Sequence, residues 1–384
     1  MNILIVCPFP VDPRFPRGGV EVHSYLLVKG LLRIPKVNKI TVYDPLNYHS
    51  SKDAYKCNFL RRSKRFILCS IPKTRQRRSF SIINMFLIKR FCKLYKYNIV
   101  HFHGIAFWGV FYNGLKIFTA HGIPEVDVLY RHNYALGFFK SNLIKMIETF
   151  SRNSFLFIIL VSLHCKRYFM RRPHIFFNIS NPVDSGLLSE KRPRRILQRI
   201  LCVSSMSRLK NISGLIEAFS NVDFSLYKNA LLVIVGFKTD EAYVQRISQL
   251  IASTNLSKRI LLLINLNRSQ IFQEYLKASC FILPSFQESS PIVLREAAAI
   301  RLPILASNLP GNRLALRSYY NKYFFNPYSL HSITNSLSFF LRRGSLQASN
   351  AKLSRSSFLP FNEFIMARLV FKSYQFCLDY EKKI

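Results

Sequence analysis

The stretch Leu283-Pro284-Ser285-Phe286-Gln287-Glu288-Ser289-Ser290-Pro291-Ile292-Val293-Leu294-Arg295-Glu296-Ala297-Ala298-Ala299 decides the fold. An apolar run closes at Leu283 as a strand. A polar loop carries Glu288, and a helix begins near Pro291, a residue suited to a first helical position. Glu296 falls early in that helix. In an open parallel sheet, ligands bind off the carboxyl ends of the strands, so both carboxylates are expected to project into a site. The helix start adds unpaired N–H groups and a positive dipole end for phosphate, with Ser289, Ser290, Pro291 and Ile292 at its mouth. Two carboxylates with no metal or paired base suit the recognition of sugar and ribose hydroxyls.

The same strand–loop–helix unit repeats outward in both directions. In the first half, Ile3–Cys7, Ile40–Tyr43, Ile99–His101, Ile117–Ala120 and Phe157–Val161 read as strands, with Val20–Leu32 and Ser79–Tyr95 as helices between them. In the second half, Ile200–Ser204, Ala230–Val235, Ile260–Ile264, Ser279–Leu283 and Pro303–Ala306 read as strands. Asn211–Phe219, Glu241–Ser253, Ser269–Lys277 and Pro291–Ile300 alternate with them as helices. Alternation of this kind predicts an α/β protein with two doubly wound parallel sheets. At 384 residues the chain also exceeds the size of a single growing core. The polar, proline-punctuated stretch from Asn181-Pro182-Val183-Asp184 to Arg195 is the expected boundary. It divides the chain into residues 1–184, residues 185–358 and a closing helical segment, 359–384, docked by apolar residues at helical spacing.

Composition limits the partners. Lys plus Arg is 56 against 19 for Asp plus Glu, a formal net charge of +37. Such a charge bears on partners and solubility, not on fold. The eight cysteines are scattered, with no C-x-x-C and no zinc spacing, so a reduced, cytosolic protein is expected. No apolar run reaches the length of a membrane span. The nearest, Phe155–Leu163, is about half of what is needed.

Together these residues resemble the large retaining family 4 of glycosyltransferases, of GT-B fold: two Rossmann-like domains facing a cleft, with a carboxy-terminal helix crossing back to the first. The P-S-x-x-E-x7-E-A-x-A run matches the family's donor-site signature. The resemblance implies that Glu288 lies by the transferred sugar and that Glu296 holds the ribose hydroxyls. Gly18-Gly19, before Val20-Glu21-Val22-His23, resembles the first glycine loop, where paired glycines tolerate unusual φ and close ligand approach. Thr119-Ala120-His121-Gly122 resembles the strand end whose histidine faces the sugar, while His101 and His103 read as satisfied structural residues. Cys202 to Asn211 resembles the phosphate loop, with Lys210 in the place of the diphosphate-binding lysine. Arg208 stands in for an arginine that the family carries near Ser204-Ser205. Arg301, where the family has glycine, and Pro182, where it has glycine after asparagine, are further departures. Gly311 matches a later loop at the same sheet edge.

The implied reaction moves a sugar from a nucleoside-diphosphate sugar to a saccharide or lipid-linked acceptor with retention of configuration. The catalytic residues are then His121, Glu288 and Lys210. The donor is a substrate, and no cofactor is expected. No D-x-D occurs, so no metal is expected either, and no G-x-G-x-x-G follows a strand, which removes a dinucleotide oxidoreductase. Between Asp53 and Glu125 there is no acidic residue. Within that interval Arg61, Arg62, Lys64, Arg65, Arg75, Arg77 and Arg78 mix with apolar residues, which suits the anionic face of a membrane and hence a peripheral location. A solvated basic face is the competing reading. Nucleic acid is the least expected partner, because no RNP-like, zinc or coiled-coil basic motif is present. Two rivals stay open: an inverting transferase or sugar-nucleotide epimerase on the same scaffold, and a basic nucleic-acid- or membrane-binding protein with weak or no catalysis.

Overall fold

The computed structural model describes residues 1–46, 63–70, 82–130, 134–169, 173–190, 195–237, 241–347 and 361–383. The chain divides into two compact units, Met1–Pro182 with Phe361–Ile384, and Val183–Pro360.

The first unit is built on a parallel sheet of seven strands: β1 (Asn2–Val6), β2 (Lys39–Asp44), β3 (Phe66–Ser70), β4 (Ile99–His103), β5 (Lys116–Ala120), β6 (Phe157–Leu160) and β7 (Ile175–Asn178). Their spatial order is β3-β2-β1-β4-β5-β6-β7. The order reverses between β1 and β4, whose residues Ile3 and Ile99 are partners. A crevice for ligand is expected off the strand ends at such a point. Numbering only helices of eight residues or more, this unit carries α1 (Gly19–Leu31), α2 (Ile82–Leu94) and α3 (Tyr134–Arg152).

The second unit has β8 (Arg199–Ser205), β9 (Leu231–Phe237), β10 (Ile260–Ile264), β11 (Cys280–Leu283), β12 (Ile304–Ser307) and β13 (Lys322–Phe325), all parallel, in the order β10-β9-β8-β11-β12-β13. Its helices are α4 (Ile212–Ser220), α5 (Glu241–Ser253), α6 (Arg268–Lys277), α7 (Ile292–Ala299) and α8 (Leu330–Gln347). The last helix, α9 (Glu363–Glu381), returns to the first unit. Strand β8 feeds both cores of its unit. Ile200 and Cys202 enter one cluster, Leu201 and Val203 the other, as the two-residue period of a strand covered on both faces requires.

Helix α9 starts at Asn362, whose side-chain oxygen accepts from the N–H groups of Phe364 and Ile365 at 3.1 Å each. It lies against α1, where a Cβ on Gly30 would come within 2.6 Å of Ala367 Cβ. The missing side chain lets the two helices approach closely. Lys29 pairs with the fully buried Glu363 at 2.7 Å, and the Arg33 guanidinium sits 4.1 Å from the Phe364 ring centroid.

Several expectations are corrected. Helix α7 begins at Ile292, with Pro291 as its N-cap, so the proline precedes the first helical residue. Gly18 has φ 176°, ordinary extended backbone, and a side chain there would meet nothing within 4 Å, so no backbone strain explains that glycine. Phe66–Leu68, read with the basic stretch, belong to the edge strand β3, which pairs with β2. Arg65, expected on an open basic patch, is half-buried, and its guanidinium donates to the carbonyls of Leu32 and Val37 just past the end of α1. Lys64 is exposed. Arg61, Arg62, Arg75, Arg77 and Arg78 lie outside the described residues. The described cysteines are all free, and Cys7, Cys202 and Cys280 are buried in the sheets as small apolar residues. No helix among the described residues is long and apolar enough to cross a membrane.

Arg301 has φ 60° and immediately follows the residue that caps the carboxyl end of α7. That is the left-handed C-terminal position where glycine is favoured. Replacing Arg301 with Gly should therefore raise the thermal midpoint, by removing a left-handed penalty of roughly 1 kcal/mol. An unchanged or lower midpoint would mean that the arginine side chain offsets the strain.

Candidate functional site

In the second unit the topological reversal falls between β8 and β11, whose Cys280 pairs with Ile200. The loops leaving these two strands are the phosphate-like loop and the Glu288 loop, and they are joined directly. The N–H of Phe286 donates to the carbonyl of Leu209 at 2.9 Å. Lys210 reaches across to Glu288, Nζ to Oε1 2.6 Å, and the Ser285 hydroxyl donates to the same oxygen at 2.8 Å. Lys210 is positioned by a single 3-10 turn, Arg208–Lys210, anchored by buried Leu209. The chain then reverses through Asn211 at φ 51°, whose side-chain amide donates to the carbonyl of Pro327 at 3.1 Å. Gly311 lies under the Glu288 loop. A Cβ there would fall 2.6 Å from the Ser289 carbonyl oxygen, so only glycine allows the approach. Ser289 and Ser290 are buried at the mouth of α7 beside Pro291 and Ile292. Arg208 is exposed and joins none of these contacts.

Glu296 is buried, one turn into α7, and meets a residue that the sequence did not single out. Arg268, at the start of α6, donates to Glu296 Oε1 at 2.7 Å and lies 3.3 Å from Asp184 Oδ2. Its guanidinium also covers the Phe272 ring at 4.6 Å. Burial disfavours the charge of Arg268, but Glu296 and Asp184 more than offset this and hold it firmly protonated. The arginine fixes the Glu296 carboxylate in one orientation. A basic residue 28 positions away on another helix leaves no local signal in the sequence, which is why it was missed.

The first unit gathers histidines at its own reversal point. His103 ends β4, His121 directly follows β5, and His23 lies on α1. His103 Nδ1 is 2.9 Å from His121 Nε2, and the His23 and His121 ring centroids are 4.4 Å apart. His23 Nδ1 donates to the Asn181 side-chain oxygen at 2.9 Å. Burial pushes the His23 pKa down to about 4 against that hydrogen bond. Burial, reinforced by neighbouring imidazoles, holds His103 and His121 well below the usual value too. All three rings are neutral at pH 7. His101 is satisfied as expected, by Tyr374 and Thr119 at 2.6 Å each. His103 is not, because its Nε2 is buried without a partner. His23, His103 and His121 bring one nitrogen each within 4.8 Å of one another, the one such group among the described residues that could hold a metal ion.

The two units match different family models. Residues 17–185 match Glycosyltransferase Family 4, and residues 192–356 match Glycosyl transferases group 1. No curated protein matches the chain at a significant level. Solved structures do, over nearly their whole lengths. HepE of Anabaena, in complex with UDP and glucose, is 16% identical, covering 98% of this chain and 99% of its own, with a TM-score of 0.70. WaaG, a glycosyltransferase involved in lipopolysaccharide biosynthesis, is 14% identical over 98% and 95%, with a TM-score of 0.69. A glycosyltransferase from Rickettsia africae is 17% identical over 98% of each chain, with a TM-score of 0.63. With a family 4 domain followed by a group 1 domain, on two parallel sheets of the GT-B fold, this chain is a glycosyltransferase.

Proposed function

We propose that the protein transfers a sugar from a nucleoside-diphosphate sugar to a saccharide or lipid-linked acceptor, with retention of configuration. The observation that carries this reading is the Lys210–Glu288 pair at the strand reversal of the second unit, beside the start of α7. An incoming diphosphate brings more negative charge than one carboxylate, so Lys210 can turn from Glu288 to the phosphates. Glu288 is then left to accept hydroxyl hydrogens of the sugar. The N–H groups at the start of α7, with Ser289 and Ser290, complete an anion cradle. Arg208, exposed at the rim, supplies a second cation. Glu296, held by Arg268, accepts from the ribose hydroxyls. His121, a neutral imidazole bonded to His103 at the strand reversal of the first unit, offers a contact for a sugar hydroxyl. HepE was solved with UDP and glucose and WaaG acts in lipopolysaccharide biosynthesis, which supports a nucleotide-sugar donor and a saccharide or lipid-linked acceptor.

The test is calorimetric titration with a panel of nucleoside diphosphates and their sugars, beginning with UDP and UDP-glucose. One of them should bind the wild type. Glu296→Gln should bind it roughly 10- to 100-fold more weakly, because two ribose hydroxyls lose a charged acceptor worth about 1.5–3 kcal/mol. Glutamine keeps an oxygen for Arg268, so the variant should stay folded. Wild-type affinity in that variant would remove Glu296 from the ribose site. Failure of every nucleotide to bind would overturn the function.

A further inference from the structure

Three neighbouring strands of the first unit bring three imidazoles together. Strand β1 leads through a loop into α1, which carries His23; β4 ends at His103; and His121 directly follows β5. Strands β1, β4 and β5 are adjacent and parallel, and His103 is level with Thr119, so the ends of β4 and β5 set His103 beside His121. The meeting place is inside the protein. His23 and His103 are 2% and 0% exposed, and only His121 is partly open. His101, two residues earlier on β4, packs against His103 with ring centroids 3.9 Å apart. Both of its nitrogens are bonded, so it stands outside the group.

A cluster of buried imidazoles is a costly way to fill a core, because each nitrogen needs a partner. The partners are arranged as they would be around a cation. His23 donates Nδ1 to the Asn181 side-chain oxygen at 2.9 Å, which fixes its tautomer and leaves the lone pair on Nε2. A metal-ligating histidine is held in the same way, with its other ring nitrogen on an oxygen. His103 Nδ1 and His121 Nε2 are 2.9 Å apart and share one hydrogen. Two nitrogens bound to one tetrahedral zinc at about 2.0–2.1 Å lie about 3.3 Å from each other, so this pair is already near ligand spacing. One nitrogen from each of the three rings lies within 4.8 Å of the others, a span that side-chain rotation closes. A further observation points the same way. His103 Nε2 is buried without a hydrogen-bond partner, so the protein's own groups do not satisfy the cluster.

We propose that His23, His103 and His121 form a binding site for one divalent ion of the zinc class, held by three imidazole nitrogens and leaving a coordination position for an oxygen ligand. Imidazole suits Zn²⁺, Co²⁺ and Ni²⁺, whereas Mg²⁺ prefers carboxylate, carbonyl and water. The absence of a D-x-D motif bears on magnesium-type sites and not on this one. His121 has a second nitrogen for the hydroxyl contact proposed above. The site does not depend on the transfer reaction, because all three histidines belong to the first unit and Lys210, Glu288 and Glu296 to the second.

The test titrates Co²⁺ into the full-length protein, free of any polyhistidine tag, and follows its visible absorption. One equivalent should bind with the intense visible bands of a low-coordinate ion and without the near-ultraviolet band of a thiolate ligand, and Zn²⁺ should bleach them. Zn²⁺ should also raise the thermal midpoint, because a ligand of the folded state stabilises it, and Mg²⁺ should do neither. These readouts use the unmutated protein and need no variant to fold. Loss of even an outer partner costs about 10–100-fold in metal affinity, so His23→Gln and His103→Gln should each weaken Co²⁺ binding at least about tenfold. Asn181→Ala, which keeps all three imidazoles, should weaken it about tenfold. Nucleotide binding by the same variants should match the wild type, which separates a failure of this site from a failure of the donor site. No binding of Co²⁺ or Zn²⁺, a thiolate band, or undiminished binding by both histidine variants would each overturn the proposal.

Discussion

Lys210→Ala should lower kcat by about a hundredfold or more while the Kd for the donor changes far less. The diphosphate gains charge as its bond to the sugar breaks, so a cation beside it stabilises the transition state more than the bound donor. Removing one such preorganised electrostatic contact costs roughly 2.7–4 kcal/mol, that is, 10²–10³ in rate. Lys210 lies 2.6 Å from Glu288, and its 3-10 turn is tied to the neighbouring loop through Leu209 and Phe286. The backbone that carries the ammonium is thus fixed beside the proposed diphosphate site, and only the side chain has to turn. Glu288 keeps its Ser285 hydrogen bond when the lysine is removed, so the loop should persist. Arg208 is exposed and outside the network, so it should not replace the lost charge. Steady-state kinetics with the donor identified by calorimetry gives the answer. If only KM rises and kcat is intact, Lys210 binds ground state and transition state equally, and its assigned role is wrong.

What could be read from the sequence follows from where each residue sits. Strands β1, β8, β9 and β11 lie inside their sheets, buried on both faces, and betray themselves as continuous apolar runs. Of the four edge strands, Ile260–Ile264 was read, whereas Phe66–Ser70, Ile175–Asn178 and Lys322–Phe325 are short and partly exposed and were missed. The Lys210, Glu288 and Glu296 positions were singled out by the resemblance of their loops to the motifs of glycosyltransferase family 4. Their partners were not. The Arg268–Glu296 contact joins two helices, and the contacts among His23, His103 and His121 join a helix to two strand ends, so both depend on how distant segments pack.

Acidification should destabilise the first unit between pH 7.5 and 5, well before ordinary carboxylates titrate. Four imidazoles are involved: His23 is pushed down to about 4, and His101, His103 and His121 well below their usual range, all chiefly by burial. In the unfolded chain these groups take up protons near pH 6.5. Between that value and the folded pKa the unfolded state binds more protons, so stability is complete above about pH 6.5 and falls as pH falls. For His23 alone the full loss is about 3 kcal/mol, at about 1.36 kcal/mol for each pKa step. Glu148 works in the other direction. Its folded pKa is raised to about 7, so the folded state binds more protons between the usual carboxylate value and 7, and acidification over that range stabilises the fold by a comparable amount. One carboxyl group cannot offset four rings of which the first to be charged repels the rest. The urea midpoint of the first unit should therefore drop steeply from pH 7.5 to 5, and the slope should flatten when His23 is replaced by Gln, which can still donate to Asn181. Equal midpoints at the two pH values would mean that the cluster takes up protons in the folded state, and that its rings are not the neutral contacts assigned to them.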